Sequence, residues 1–229
     1  MNSNTVMTGC FESISYLFAP ITIPMALIQR AIGMRGRTSQ QKQAIKYLTA
    51  SGCLEKLIGG SDAEFDSLLM QRVKPLNIFQ QALGKLGLVA EQVSEIAPLF
   101  FDGYAGGSTR LGEDLVFRQA EYQLSCVLFS DEQVFLYSYT IDLTSNKIRE
   151  WTDEYFYSDI TSVTVKTPLD ELYKEEGCGC IGTKKFAQSP NYSFKLVVPG
   201  DSMFVAFRPE ELDQVYGMKA KLREKKEQV

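Results

Sequence analysis

The chain has 229 residues, 45% hydrophobic and 23% charged, enough for one large domain or two small ones with an ample core. It contains no histidine, which excludes His-based general-base catalysis, Ser-His and Cys-His nucleophile pairs and His-ligated metal centres. The net charge of -4 is uneven: residues 1–112 carry 10 basic and 8 acidic side chains, and residues 113–229 carry 14 and 20. An acidic second half argues against a nucleic-acid surface.

The N-terminal stretch 1–37 reads as a hydrophobic leader. From Cys10 to Met34 only Glu12 and Arg30 are charged, and Arg35 and Arg37 follow. Basic residues after the apolar run are the reverse of a secretory signal, and Pro20 and Pro24 interrupt what a spanning helix would need. Three readings stay open. The segment packs on the rest of the protein or on a second copy, it docks on a membrane surface through Arg30, Arg35 and Arg37, or it spans.

Residues 38–101 are expected to form a small helical bundle. Thr38 with Gln41 and Ser61 with Glu64 have capping-box spacing ahead of apolar runs. Ala44, Ile45 and Leu48 recur at helical spacing, as do Phe65, Leu68, Leu69 and Val73, and a third helix follows from about Leu76. Gly59-Gly60, Pro75, Gly87 and Pro98 separate or end these elements.

Gly103, Gly106, Gly107 and Gly112 fall within ten residues, and 102–112 reads as a Gly-rich linker. It lacks the lysine of a phosphate loop, and no helical pattern follows it.

Beyond 113 the signal is β. Tyr122–Phe129, Val134–Ile141, Ile148–Tyr157 and Ile160–Val165 are crowded with Val, Ile, Thr, Tyr and Phe, and Ser, Asp or Asn occupies each gap. Thr167 to Pro190 is a polar excursion holding Cys178, Cys180, Lys184 and Lys185. It reads as a flexible loop, because Cys178 and Cys180 make only half of a metal site. Five scattered cysteines suit a reducing cytoplasm better than a secreted scaffold. Tyr192–Val198 and Met203–Phe207 form a hairpin through Pro199-Gly-Asp201. A helix follows with Pro209 in its first turn, acids at its start and Lys221, Arg223, Lys225 and Lys226 at its end.

Tyr155-Phe-Tyr-Ser-Asp-Ile-Thr-Ser-Val-Thr-Val165 resembles bacterial pleckstrin-homology-like domains. Phe204-Val-Ala-Phe207 leading into Pro209-Glu-Glu-Leu212 is similar to their last strand and capping helix, features that GRAM-type domains share. The resemblance covers about half the chain and implies an α+β protein. The helical bundle would precede a PH-like, antiparallel, partly open β-barrel over 113–229, shut by its C-terminal helix. It implies a non-enzymatic binding or scaffold module whose partner is another protein or a second copy of itself, and with no cofactor. Superfamily members that bind phosphoinositides use cations around the first hairpin. The turn taken to correspond, Ser130–Gln133, is acidic, which argues against that use, and Lys184 and Lys185 offer a weaker anion contact. Trp151, Tyr155 and Tyr157 alternate on one face of the third predicted strand. They either enter the barrel core or present an aromatic patch to a partner.

Overall fold

The computed structural model describes residues 34–50, 60–93, 96–167, 171–176, 183–188 and 192–228, with backbone alone for 171–176 and 183–188. The leader up to residue 33, and with it Arg30, lies outside the described residues, as do Cys178 and Cys180. Among the described residues three α-helices come first: α1 (Ser39–Thr49), α2 (Asp62–Val73) and α3 (Ile78–Leu86). The caps form as the spacing predicts. Thr38 Oγ1 accepts from the Gln41 amide at 3.2 Å, the Gln41 side chain accepts from the Thr38 amide at 3.0 Å, and Ser61 and Glu64 repeat the exchange. Gly87 ends α3 in the left-handed conformation at φ 67°.

Among the described residues nine strands follow: β1 (Leu99–Leu111), β2 (Phe117–Phe129), β3 (Gln133–Asp142), β4 (Ile148–Phe156), β5 (Ser162–Lys166), β6 (Glu171–Glu176), β7 (Thr183–Gln188), β8 (Ser193–Val198) and β9 (Asp201–Ala206). All pairings are antiparallel. One sheet has the order β1-β2-β3-β4, a second has β5-β8-β9, and β6 and β7 pair as a hairpin that falls between β5 and β8 in sequence. The chain ends with a 3-10 turn over Pro209–Glu211 running into α4 (Leu212–Gln228). The fold is α+β, and the two sheets do not close into a barrel.

The central strands of the first sheet, β2 and β3, are buried on both faces. Ala120, Tyr122, Leu124, Cys126 and Leu128 of β2 share one core with Tyr47, Leu48, Phe65, Leu69, Ala82 and Leu83 of the helices. The alternate residues Val127 and Phe129, with Val134 and Leu136 of β3, share the other core with Phe194, Leu196, Val205 and, from α4, Val215, Met218 and Leu222. Burial of both faces explains why β2 and β3 carry so little polar alternation. The helices therefore form a layer on the sheet; the expected bundle has no separate interior.

The Gly-rich linker expected over 102–112 is instead most of β1, and the β region starts at 99 rather than 113. Its glycines serve close approach and a bulge. A Cβ at Gly103 would lie 2.9 Å from the Phe207 backbone nitrogen, so only glycine lets β1 pass the end of β9 at this distance. The pairing with β2 shifts register between Tyr104 and Thr109, where Gly107 sits at φ 80°. The polar excursion is also corrected in part, since it contains the β6–β7 hairpin, with Glu175 opposite Lys184 and Lys174 opposite Lys185.

The aromatic patch is a third correction. Tyr157 is fully buried and Tyr155 is 9% exposed, both in the second core, and Trp151 is half-buried. Tyr157 donates to the Ser130 carbonyl at 2.8 Å and Tyr155 to the Asp201 carboxylate at 2.9 Å, so both rings are anchored inward. The core alternative holds for these two residues.

A cleft beside the first hairpin as candidate functional site

The turn between β1 and β2 places two apolar side chains in solvent. Gly112 donates to the Val116 carbonyl at 2.9 Å, and Leu115 donates back to the Gly112 carbonyl at 3.3 Å. The Val116 amide donates to the Asp114 carboxylate at 3.0 Å, and that carboxylate is itself gripped by Arg118 at 2.7 and 2.9 Å. The closed turn puts Leu115 at φ 64°, among the described residues the one non-glycine in the left-handed region. Leu115 is 40% exposed and Val116 49%.

Behind this turn lies a cleft of about 390 Å³. It is lined by Gly103 and Tyr104 of β1, the hairpin residues Leu115 to Phe117, Tyr192 and Phe207, and the Arg208–Glu210 segment that leads into α4. Tyr192 and Phe207 meet edge to face at 5.7 Å, and Tyr104 meets Tyr122 in the same way at 5.1 Å. The Phe207 amide donates to the Tyr192 carbonyl at 3.1 Å, which fixes that wall.

One side of the cleft is held by a saturated polar cluster. Arg208 pairs with Asp102 at 3.0 Å and with Glu211 at 3.3 Å, and the Tyr122 hydroxyl donates to Asp102. The Glu211 carboxylate accepts from the Arg208 amide at 2.9 Å and the Asp102 amide at 3.3 Å, tying the edge of β1 to the start of α4. Gln214 adds a bond to the Phe100 carbonyl at 3.2 Å, so this part of the β1 edge is closed. Burial pushes the Glu211 carboxyl above its ordinary range, and burial followed by the Asp102 charge raises the Tyr122 phenol. The lining offers apolar surface, phenol rings and the exposed Glu210 carboxylate, the make-up of a binding site.

Of the residues expected to contact anion or lipid, Arg35 and Arg37 precede α1 on the helical side, and Lys184 and Lys185 sit on β7 in the separate hairpin. Gln41 of α1 is anchored to Asn146 at 2.5 Å, so this part of the chain meets the β3–β4 turn. Neither Arg35 nor Arg37 lines the cleft. Asp153 and Glu154 are neighbours on β4 and point to opposite faces of the sheet. Burial, then the neighbouring Asp201, raises the Asp153 carboxyl, while Glu154 is exposed. Cys126 is fully buried, and burial pushes its thiol up to about 12. Among the described residues no group of three His, Cys, Asp or Glu could hold a metal ion, and no helix is long and apolar enough to cross a membrane.

Two carboxyls near the hairpin end of the first sheet make stability acid-sensitive. The Arg118 hydrogen bonds hold Asp114 below its ordinary range. Burial raises Asp142, but bonds from Ser145 at 2.5 Å and Thr144 at 2.6 Å outweigh it and leave it lowered. A depressed carboxyl contributes stability that is complete above its unfolded value of about 4 and lost as pH falls through its folded value. The raised Asp153 and Glu211 act in the opposite sense, since protonation relieves them as pH falls. Melting temperature measured from pH 7 to 2 is therefore expected to drop steeply only below about pH 4. A decline that begins near pH 6 would contradict this.

The hairpin was the part of this site that sequence reasoning missed. Its signal was Gly112-Glu-Asp114, a turn set between Ser-Thr-Arg-Leu111 and Val116-Phe-Arg-Gln119. Comparison with protein-family models, with curated proteins and with solved structures finds no match to this chain.

Proposed function

We propose that the chain is a non-catalytic binding module of PH-like arrangement that scaffolds protein–protein contacts. The observation that carries this reading is the order of elements. A four-strand antiparallel meander is followed by a three-strand antiparallel sheet, and the terminal helix sets Val215, Met218 and Leu222 into the core between them. The β6–β7 hairpin is then an insertion between the first and second strands of the smaller sheet. The helical layer over the outer face of the first sheet is an addition to that arrangement.

With β1 in place, the first hairpin is Gly112–Val116 and the Ser130–Gln133 turn is the second. Each carries two acids, Glu113 with Asp114 and Asp131 with Glu132. Phosphoinositide binding through either turn is therefore disfavoured, and a protein partner is the better candidate.

The test is affinity capture on immobilised full-length chain. It is expected to retain a protein in stoichiometric, saturable amount, with no competition from inositol hexakisphosphate. Retention of phosphoinositide vesicles in place of any stoichiometric protein would overturn the reading.

A further inference from the structure

We propose that the cleft beside the β1–β2 hairpin docks an extended peptide segment of a protein partner, one that sets a large apolar side chain next to a Lys or Arg. This rests on the binding-module reading and assigns it a surface and a partner chemistry.

Three observations converge on that occupant. The cleft is mainly apolar, with room in about 390 Å³ for one or two large side chains against Tyr104, Phe117, Tyr192 and Phe207. Its lip is built at a cost. Leucine is disfavoured in the left-handed region, yet the turn keeps Leu115 there and leaves Val116 in water beside it. Such strain in a tightly tethered turn is accounted for if the two side chains form part of a contact surface.

Charge then selects the partner. Arg208 is already matched by Asp102 and Glu211. Glu210 lines the mouth and Glu113 lies in the same turn as Leu115; both are exposed, and neither makes an ion pair among the described residues. The mouth is therefore net negative. It attracts a cation beside the anchor and repels phosphate head groups and acidic peptides. The walls are fixed in advance by the Arg208 cluster and by the Arg118 grip on Asp114, so little ordering is required on binding.

The probes are two capped hexapeptides, KLFKLK and its charge-reversed twin ELFELE, titrated into isotope-labelled full-length chain and followed by amide chemical shifts. KLFKLK is expected to move the Leu115, Val116, Phe117 and Phe207 resonances, and ELFELE to leave them in place. Glu210→Gln should weaken KLFKLK binding about threefold, as loss of one exposed charge does. Val116→Asp should weaken it at least tenfold, because it removes apolar contact area, while the remaining spectrum stays folded. Equal binding of the two peptides overturns the charge argument, and so overturns the proposal. Shifts confined to another surface also overturn it but leave the binding-module reading standing. Capture of a stoichiometric protein partner that Val116→Asp does not affect has the same meaning. Displacement of KLFKLK by anionic phospholipid vesicles through these same residues would assign the cleft to lipid and sink it.

Discussion

Arg118→Ala is expected to lower the free energy of unfolding by about 3 kcal/mol, the low end for breaking a buried charge cluster because its carboxylate partners are partly solvated. Arg118 projects from β2 toward the helical layer and is 3% exposed. Its guanidinium grips Asp66 of α2 through two bonds of 2.7 Å and Asp114 of the hairpin through bonds of 2.7 and 2.9 Å. Asp62 lies 3.9 Å away, where it accepts from the Tyr47 hydroxyl at 2.6 Å and the Glu113 amide at 2.7 Å. Tyr47 in turn stacks on Phe65 at 4.5 Å and lies under Arg110 at 4.1 Å. One side chain thus joins α2, the hairpin and the sheet, and through Asp62 it is linked to Tyr47 of α1.

Two details make the expectation specific. Lysine cannot reproduce two-pronged binding to two carboxylates, so Arg118→Lys should recover about half of the loss. Asp66→Asn added to Arg118→Ala should destabilise by much less than the sum of the two single changes, since it removes a charge already without its partner. Urea unfolding at pH 7 with an unchanged denaturant slope provides the measurement. A loss below about 1 kcal/mol for Arg118→Ala would reduce the cluster to an ordinary surface pair. The same change frees Asp114, so KLFKLK binding should weaken with it.

The split between what the sequence disclosed and what it hid follows from physics at particular residues. Capping boxes at Thr38 and Ser61 are local, with donor and acceptor three positions apart, and both were legible. Strands β2 to β5 were legible because β-branched and aromatic residues crowd them. Strand β1 was hidden because its glycines answer to partners distant in sequence. Gly103 faces Phe207 and Gly107 faces Ala120 and Glu121, and in one dimension that pattern is the same as a linker's. The covering of β2 and β3 on both sides was hidden too. Gln123, Ser125 and Ser138 look like a solvent face, yet all three are buried. Ser125 and Ser138 pair with each other at 3.0 Å, and the Gln123 side chain accepts from the Ala206 amide at 2.7 Å. Period-two alternation put Trp151 and Tyr155 on one face but could not tell which side of the sheet was inward. The cleft draws its rings from β1, β2, the residue before β8 and the residue after β9, an assembly that only tertiary structure produces.

Gly103→Val is expected to destabilise by about 3 kcal/mol, the upper part of the range for forcing atoms into a packed interior. The colliding atoms are backbone: Phe207 nitrogen at 2.9 Å, with its carbonyl carbon and oxygen each at 3.1 Å. No rotamer change relieves that contact, so β1 must move off the end of β9. Such a movement drags Phe101, which is 1% exposed and meets Phe194 edge to face at 5.3 Å in the core between the sheets. It also displaces Phe207, one wall of the cleft, so a variant that stays folded should lose KLFKLK binding as well as stability. Gly103→Ala, with one carbon in place of three, should cost about 2 kcal/mol. The control is Gly84→Ala. Gly84 is within α3, where nothing lies within 4 Å of a new Cβ and the backbone is already helical. Alanine there should stabilise by about 0.5–1 kcal/mol through helix propensity and a less disordered unfolded chain. Opposite signs at the two glycines separate close approach from a general intolerance of side chains. Equal and small effects would mean that β1 does not run against Phe207, and the stacking of the first sheet on the second would then have to be redrawn.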